Sequence, residues 1–253
     1  MYLEKYNLKG RLAVVTGGGQ AIGLACVEAL SEAGAKVVIA DYNAKAAEEG
    51  RDAMKARGYA CEIAIVDVTD STGIEALAHR LGKVDILVNN AGIARSEIPA
   101  EEMENERWLN VLDVNLNGTF WCCRSFGKRM LVAGKGAIVN IGSMSGFIVN
   151  KPQGQAHYNA SKAAVHHLTK SLAAEWGARG VRVNSVAPTY IRTPLTAFAS
   201  SNPEMFDVWI ESTPMRRMGE VDEIASAVLF LASDASSLMT GSIVLVDGGY
   251  TCW

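Results

Sequence analysis

A short apolar strand, a glycine-rich turn and a helical pattern follow one another near the start of the chain. The strand is predicted over residues 11–16, the turn over 17–23 and the helix from there to Ala33. Glycines let backbone N–H groups approach a phosphate closely, and the N-terminus of a helix carries a partial positive charge. This order of elements predicts a phosphate-binding cradle, although an ordinary glycine turn between two elements has the same pattern.

Short apolar strands continue to alternate with helical patterns as far as Val246. No linker, internal repeat or low-complexity stretch interrupts the alternation. The chain has 253 residues, of which 49% are hydrophobic, and an α/β chain of this length can bury one large core. The pattern therefore predicts the α/β class and a single domain over residues 1–253.

The next strand, predicted over residues 36–40, ends at an acidic residue. This residue is Asp41, eighteen residues after the last glycine of the turn, where a dinucleotide site places the carboxylate that accepts the hydroxyls of the adenosine ribose. A 2′-phosphate would be repelled there, and neither Gln20, Tyr42 nor Asn43 offers a compensating positive charge. Asp41 therefore favours NAD over NADP.

Tyr158 and Lys162 stand four residues apart at the start of a helix predicted over residues 157–176. One helical turn puts both side chains on the same face. A free tyrosine titrates near pH ~10, and an adjacent positive charge favours its ionised form. The pair is a plausible proton-transfer device, although a tyrosine packed against a lysine stem has the same spacing. Ser143 lies fifteen residues upstream of Tyr158, where an apolar strand ends.

Taken together, the motifs follow a recognisable order along the chain. They are the cradle, Asp41, the sequence Asn-Asn-Ala-Gly at 89–92, Asn115, Ser143, Tyr158 and Lys162. In this order they resemble the short-chain dehydrogenase/reductase family from about Lys9 to Val246. The resemblance implies a single-domain Rossmann fold, with a doubly wound parallel sheet of about seven strands and helices on both faces.

The resemblance also implies a catalytic set of Asn115, Ser143, Tyr158 and Lys162. Tyr158 as phenolate would remove the proton of an alcohol while hydride moves to NAD, and Ser143 would fix the substrate oxygen. Lys162 would lower the pKa of Tyr158 and bind the nicotinamide ribose. Asn115 would hold a water that connects Lys162 to solvent, although an asparagine in a helix is more often a solvated surface residue.

Cofactor contacts follow from the same resemblance. Asp67 and Val68 would contact the adenine, although Asp67 is equally placed to cap the helix that begins near Ser71. The segment after Pro188 would clamp the nicotinamide carboxamide. The full expected set is Gly17, Gln20, Ile22, Gly23, Asp41, Asp67, Val68, Asn89, Ala91, Gly92, Tyr158, Lys162, Pro188, Ile191 and Thr193.

Two positions depart from the family pattern. Ala21 stands where the cradle usually has its middle glycine, and its methyl group is expected to be tolerated if φ is negative. Thr189 replaces the glycine that usually follows Pro188, which would stiffen the clamp. Neither departure changes the expected function.

The substrate is predicted from residues 143–153 and from the C-terminal residues 246–253, which are similar to those of bacterial polyol dehydrogenases. By this analogy Ser143, Ser145, Asn150 and Tyr158 would bind substrate hydroxyls, although Ser145 and Asn150 would also fit a role in turning the loop. A lid is predicted over about 189–217. Its apolar residues suit an aliphatic diol or a ketone as well as a sugar alcohol; they are Phe198, Met205, Phe206, Trp209 and Met215.

Three functions therefore remain open. The first is an NAD-dependent dehydrogenase of secondary alcohols or polyols. The second is a reductase of acyl or cyclic ketones, against which Asp41 counts because biosynthetic reduction usually draws on NADPH. The third is a non-catalytic NAD sensor, which the complete catalytic set disfavours. Nucleotide-sugar epimerases share the cradle and the tyrosine pair but usually have a longer C-terminal substrate region.

Charge and composition exclude further functional classes, such as nucleic-acid-binding and membrane-spanning proteins. The formal net charge is −3 with scattered basic residues, so no nucleic-acid footprint is present. No apolar run reaches the ~20 residues needed to cross a bilayer, and the N-terminus lacks a secretory pattern, which favours the cytoplasm. Five cysteines without metal spacing are interpreted as buried hydrophobes. His157, His166 and His167 are interpreted as structural, although His157 is near enough to touch the rim of the pocket.

The resemblance finally implies a homotetramer. Its interface would pair two long helices, predicted over 108–131 and 157–176, while Tyr250 and Trp253 would pack at a second interface. In some relatives the carboxylate of the C-terminal residue, here Trp253, would ligate a structural Mg²⁺; no other metal site is expected. The physiological substrate, the carbon oxidised and the metabolic direction are not determined by the sequence.

Overall fold

The computed structural model describes residues 1–94, 98–197 and 202–253. Its centre is a sheet of seven parallel strands in the order β3-β2-β1-β4-β5-β6-β7. The strands are β1 Leu12–Thr16, β2 Lys36–Asp41, β3 Cys61–Ile65, β4 Ile86–Asn89, β5 Gly136–Ile141, β6 Val181–Pro188 and β7 Ile243–Val246. The predicted doubly wound sheet is confirmed.

Helices connect the strands and cover both faces of the sheet. They are α1 Ala21–Glu32, α2 Ala44–Ala56, α3 Ser71–Leu81, α4 Asn105–Leu112, α5 Gly118–Ala133, α6 Ala156–Trp176, α7 Pro203–Ser212 and α8 Val221–Ala232. Within the described part of the chain, no helix is both long and apolar enough to cross a bilayer.

Each central strand contributes to two separate cores. Along β1, Ala13 and Val15 pack against α1 and α8, whereas Val14 between them packs on the opposite face with α3, α5 and α6. Successive side chains of a strand point to opposite faces, so a strand buried on both sides must be apolar at every position. This explains why the central strands are continuous apolar runs rather than alternating patterns.

The strand order reverses beside β1. The chain builds β2 and β3 on one side of β1 and then places β4 on the other side. In a parallel sheet of this type the connections after the two strands diverge to opposite faces and leave a crevice at the carboxyl ends of the strands. The residues that follow β1, β4, β5 and β6 therefore meet at one edge of the sheet.

Two predictions, one about a helix and one about the cysteines, differ from the structure in detail. The helix expected over 108–131 begins three residues earlier and contains a π turn, Asp113–Asn117, between α4 and α5. The cysteines are free thiols, and only Cys26, Cys122 and Cys123 are fully buried. Cys61 is half-buried and Cys252 is exposed, so the expectation of five buried cysteines was wrong for these two.

Candidate active site

A cleft of about 620 Å³ opens at the carboxyl edge of the sheet. Most of the site residues predicted from the sequence line this one cleft. They are Gly17, Gln20, Ile22, Gly23, Asp41, Asp67, Val68, Ala91, Gly92, Ser143, Tyr158, Lys162, Pro188, Ile191 and Thr193. Asn89, Asn115, Ser145 and Asn150 are absent from its lining.

The glycine turn forms a cradle of the shape that a pyrophosphate requires. Gly17 has φ +60°, a conformation that favours glycine, and a Cβ on Gly23 would lie only 2.0 Å from the carbonyl oxygen of Gly17. Helix α1 starts directly after this turn and has no acidic residue in its first turn. Its free N–H groups therefore keep their partial positive charge, which fits an anionic group of NAD.

Asn90 braces the cradle from the neighbouring strand. Its Nδ2 donates to the carbonyl oxygens of Thr16, at 3.0 Å, and Gly17, at 2.9 Å. The Thr16 hydroxyl accepts in return from the backbone N–H groups of Asn90 and Ala91. The turn after β1 and the turn after β4 are thus held as one unit.

Ala21 takes a backbone conformation that the sequence did not suggest. Its φ is +50°, in the left-handed region, whereas a negative φ was the condition for the methyl group to be tolerated. That condition is not met, because the chain turns into α1 with Ala21 in the left-handed conformation. A residue with a Cβ is disfavoured there by roughly 1–2 kcal/mol.

Asp41 lies at the end of β2 with its carboxylate already oriented. One oxygen accepts from the N–H of Gly19 at 3.1 Å and the other from the N–H of Asn43 at 3.0 Å. A carboxylate has about four acceptor positions, so two remain for ribose hydroxyls. Among the described residues that line the cleft, Lys162 is the only lysine or arginine. The described lining of the cleft is therefore poor in positive charge.

Residues that follow β3 also line the cleft. They are Val66, Asp67 and Val68, together with Val114 of the π turn. The carboxylate of Asp67 accepts from the N–H and hydroxyl of Thr69. The side chain that caps α3 belongs to Asp70, so the alternative of Asp67 as helix cap was wrong.

Asn89 does not reach the cleft. Its amide is buried between β4 and β5 and donates to Oδ1 of Asn140 at 2.8 Å, and Asn140 donates in turn to Thr169 at 2.9 Å. The Asn89 side chain is directed away from the cleft because inside a two-faced sheet a buried amide must find partners within the sheet, and the cofactor contact expected of Asn89 stays a prediction. Its neighbour Asn90, which lines the cleft, was missed although it belongs to the same motif.

Asn115 lies on the π turn and is buried. Its Oδ1 accepts from the N–H of Ile93 at 2.8 Å, and its Nδ2 donates to the carbonyl of Ile93 at 2.9 Å and to the hydroxyl of Ser161 at 3.1 Å. The side chain thus clamps the backbone after β4 to helix α6. Such π turns are frequent at functional sites because they redirect one side chain out of the regular helical row.

Tyr158 and Lys162 face the cleft from the first turns of α6. Nζ of Lys162 lies 5.6 Å from the centroid of the Tyr158 ring and donates to the carbonyl of Ile141 at 2.8 Å. Burial lowers the pKa of Lys162 to about 8. Burial raises the pKa of Tyr158, and a hydrogen bond from Ser143 partly offsets this rise.

The expectation that Lys162 lowers the pKa of Tyr158 was therefore wrong for the protein without cofactor or substrate. The ammonium lies over the ring and bonds the main chain of β5, while the loss of water around the phenol dominates. Both groups are thus kept in their neutral forms more than they would be in water.

Ser143 follows β5 and is hydrogen-bonded to Ser145. The Ser143 hydroxyl accepts from the N–H of Ser145 at 3.1 Å and donates to the Ser145 hydroxyl at 3.0 Å. Ser145 therefore contacts Ser143 from behind and does not line the cleft. Its Oγ holds the Ser143 hydroxyl, and the direct substrate contact expected of Ser145 stays a prediction.

Asn150 was expected to bind substrate, but its amide is used inside the protein. Its Nδ2 donates to the Tyr190 hydroxyl at 3.0 Å, and its Oδ1 accepts from Gln155 at 2.9 Å. The side chain is buried and does not line the cleft, so the substrate contact expected of Asn150 stays a prediction. Its observed role is to hold the loop after Ser143 against the segment after β6.

A polar and aromatic network around Tyr190 was missed by the sequence argument. Gln153 donates to the Tyr190 hydroxyl at 3.2 Å and accepts from the indole N–H of Trp209 at 3.1 Å. The rings of Tyr190 and Trp209 stack with centroids 3.7 Å apart and an interplanar angle of 4°. The network joins helix α7 of the predicted lid to the loop after Ser143.

The lid itself is only partly as expected. Met205 and Trp209 are buried in a cluster with Tyr190, Met144 and Tyr250, and Phe206 packs against it. Met215 is exposed, and Phe198 lies outside the described residues. The apolar side chains of α7 therefore support the cleft from behind, and they do not themselves line it.

The segment expected to clamp the nicotinamide begins at the last residue of β6. Pro188, Thr189, Ile191 and Thr193 line the cleft, and Ile191 forms a short parallel bridge with Gly219. No group of three or more His, Cys, Asp or Glu residues in the described parts of the chain is arranged to hold a metal.

Comparison with known proteins agrees with this geometry. A family model described as enoyl-(acyl carrier protein) reductase matches residues 17–251. The chain is 56% identical to galactitol 2-dehydrogenase of Rhizobium johnstonii, over 100% of this chain and 99% of the relative. It is 48% identical to the L-tagatose-forming galactitol 2-dehydrogenase of Cereibacter sphaeroides, with the same coverage.

Solved structures extend the likeness to the fold. The crystal structure of gox2181 has a TM-score of 0.98 and 52% identity over 100% of both chains. A gluconate 5-dehydrogenase from Burkholderia cenocepacia, in complex with NADP and tartrate, has a TM-score of 0.94 and 36% identity over 100% of both chains.

Proposed function

This chain belongs to the short-chain dehydrogenase/reductase family, and we propose that it oxidises a secondary hydroxyl of a polyol, sugar alcohol or diol to a ketone with NAD. Its relatives are dehydrogenases and reductases, and the chain is an enzyme that acts on alcohol groups. The reaction is reversible, so ketone reduction would use the same residues.

One observation carries the proposal. Ser143, Tyr158 and Lys162 line the same cleft as the glycine cradle and Asp41. A cradle alone would suit any nucleotide-binding protein, including a sensor. A phenol, a hydroxyl and an ammonium at the other end of the same cleft add the groups that alcohol oxidation needs.

The chain's own residues would divide the work as follows. Tyr158 would accept the hydroxyl proton of the substrate, with Ser143 donating a hydrogen bond that fixes the substrate oxygen. Lys162, held by the carbonyl of Ile141, would bind the nicotinamide ribose and keep a positive charge beside the Tyr158 ring. NAD supplies the hydride acceptor when it is bound.

The preference for NAD rests on charge. The cradle, Asp67, Val68 and the clamp of Pro188, Ile191 and Thr193 would hold either cofactor. Asp41 would accept the ribose hydroxyls of NAD, whereas a 2′-phosphate beside its carboxylate would meet repulsion. NADP is bound in the crystal structure of the Burkholderia cenocepacia gluconate 5-dehydrogenase, so a chain of very similar fold holds that cofactor.

The polyol assignment rests on the galactitol 2-dehydrogenases, which match the chain from end to end. We expect an open-chain substrate whose reacting hydroxyl reaches Ser143 and Tyr158. The substrate residues expected from the sequence reduce to these two for direct contact, with Ser145 and Asn150 acting behind them. A homotetramer in the cytoplasm and a structural Mg²⁺ at Trp253 stay predictions.

The experiment is a substrate and cofactor panel with purified protein. Formation of reduced nicotinamide is followed by absorbance with NAD and with NADP, against galactitol, sorbitol, arabitol, threitol and simple vicinal diols. Reduction of NAD by one or more polyols, faster than reduction of NADP, supports the proposal. Inactivity with all of them, together with reduction of an acyl or cyclic ketone, would replace the substrate class.

A further inference from the structure

We propose that His166 is a positioning residue for Ser143, holding the turn after β5 so that the Ser143 hydroxyl faces Tyr158. The inference rests on the proposed function, in which Ser143 contacts the substrate oxygen. It assigns a role in the reaction to a histidine that the sequence alone presented as structural.

The position of His166 follows from helical spacing. Tyr158, Lys162 and His166 occupy every fourth position of α6, so they form one row along the helix face that covers the end of β5. Nε2 of His166 accepts from the backbone N–H of Ser143 at 3.4 Å. The row therefore touches the candidate site at three successive points.

Two glycines make room for the imidazole. A Cβ on Gly142 would lie 2.4 Å from Nε2 of His166, and a Cβ on Gly146 would lie 2.6 Å from Nδ1. The ring thus sits directly against the main chain on either side of Ser143. The Phe147 ring covers it with its centroid 4.6 Å away, so His166 is buried.

The chemistry of this slot favours a hydrogen-bond acceptor rather than a space filler. Burial and the charges of Lys162 and Lys170 lower the pKa of His166 to about 4, so its ring is neutral at physiological pH. With Nε2 accepting, Nδ1 carries the proton, and it has no hydrogen-bond partner among the described residues. An apolar side chain would fill the slot without leaving a buried donor unpaired. Histidine, unlike an apolar residue, supplies Nε2 as the acceptor for the backbone N–H of Ser143.

The Ser143 hydroxyl depends on this anchor. Within its own short turn it is held by the N–H and hydroxyl of Ser145, and across the cleft it is hydrogen-bonded to Tyr158. Without Nε2 of His166 the backbone N–H of Ser143 would be buried without an acceptor, and the turn would shift to satisfy it. Displacement of the Ser143 hydroxyl from Tyr158 would reduce the stabilisation of the transition state more than it would reduce the affinity for substrate.

The test compares His166→Gln with His166→Met. The two side chains have similar length and volume, but only Gln places an acceptor oxygen near the position of Nε2. We expect His166→Met to lower kcat about tenfold with little change in KM, and His166→Gln to stay within about threefold of wild type. Binding of NAD should be the same in all three proteins.

A double-mutant cycle distinguishes a positioning role of His166 from a general loss of folding. In a Ser143→Ala background, His166→Met should lower kcat no further, because the group that it positions is gone. An equal loss in the Ser143→Ala background, or equal activities of the Gln and Met variants, would overturn the proposal.

Hydrogen exchange gives a readout that does not need turnover. Exchange of the Ser143 amide, followed in a peptide that spans 142–147, should be faster in His166→Met than in wild type and His166→Gln. If the wild-type protein oxidises no alcohol, the proposed function fails, and this exchange result alone decides whether His166 anchors Ser143. Equal exchange in all three proteins would contradict the anchor.

Discussion

The two halves of the cleft are built by different means. At the nucleotide half, after β1, β2 and β4, backbone groups and short motifs do most of the work, as in the approach of Gly23 to Gly17. At the substrate half, side chains far apart in sequence hold one another: Tyr190 bonds Asn150 across 40 positions, and Trp209 bonds Gln153 across 56. The first half can therefore be identified from local sequence, whereas the second depends on how distant segments pack.

The largest effect should come from Lys162→Met, which removes the charge between the two halves. We expect kcat to fall by roughly 10²–10⁴, the usual contribution of proton-transfer groups. Stability at neutral pH should be equal or higher, because burial disfavours the ammonium that Met replaces. Thermal unfolding and steady-state kinetics measure the two effects.

The pH dependence of stability sharpens this prediction. The folded-state pKa of Lys162 is about 8, below the ordinary value near ~10.4, so from about pH 8 upward the unfolded chain binds the proton more tightly than the folded chain. The Lys162 contribution therefore makes wild type more stable as pH rises through this window, and Lys162→Met should lack that rise. Lys128→Met, at an exposed lysine of α5, is the control and should change neither property.

Asp41→Asn tests the nucleotide half alone. It keeps the shape of the side chain and removes the charge that would repel a 2′-phosphate. We expect the ratio of kcat/KM for NAD to that for NADP to fall at least about tenfold, a change of ~1.4 kcal/mol. Asp52→Asn, on the exposed face of α2, is the matched control. An unchanged ratio in Asp41→Asn would mean that this carboxylate does not choose the cofactor.

Trp209→Phe tests the substrate half alone. It keeps a ring to stack on Tyr190 and removes the indole donor to Gln153. A lost hydrogen bond of about 1 kcal/mol should raise KM for the polyol roughly fivefold and leave NAD affinity unchanged. Trp108→Phe, at a partly exposed position of α4, controls for the general effect of the substitution. Loss of NAD affinity in Trp209→Phe would show that the two halves are not independent.

Ala21→Gly should have the smallest effect. Glycine removes the strain of a left-handed alanine but loses more freedom on folding, which leaves a stabilisation of up to about 1 kcal/mol. For a chain of this size the melting temperature should rise by a few degrees. Ala33→Gly, at the end of α1 where φ is −73°, should be destabilising instead. A lower melting temperature for Ala21→Gly would contradict the assigned strain.

The sequence predicted the sheet, the glycine turn and the meeting of Ser143, Tyr158 and Lys162 in one cleft, because each rests on a short pattern. A strand followed by glycines and a helix allows few folds, and Tyr158 and Lys162 are brought together by one helical turn. It failed where a side chain had a choice of partner. Asn89, Ser145 and Asn150 are polar residues near the cleft, and only the packed structure reveals that their partners lie inside the protein.

Other residues were missed for the same reason. Gln153 and Tyr190 belong to no motif, and their pairing depends on the placement of α7. His166 is one helical turn beyond Lys162, which the periodicity of α6 reveals, but its contact with Ser143 depends on two glycines in a distant turn. The conformation of Ala21 was set by the turn, against the preference of the residue.

The central claim is that Tyr158 transfers the proton in an NAD-linked oxidation of a polyol. It is tested most directly by measuring galactitol-dependent reduction of NAD by wild type and by Tyr158→Phe, with NAD binding measured in both. We predict that wild type reduces NAD, and that Tyr158→Phe binds NAD with unchanged affinity while turnover falls by at least about 10². Turnover by Tyr158→Phe at the wild-type rate would contradict the account.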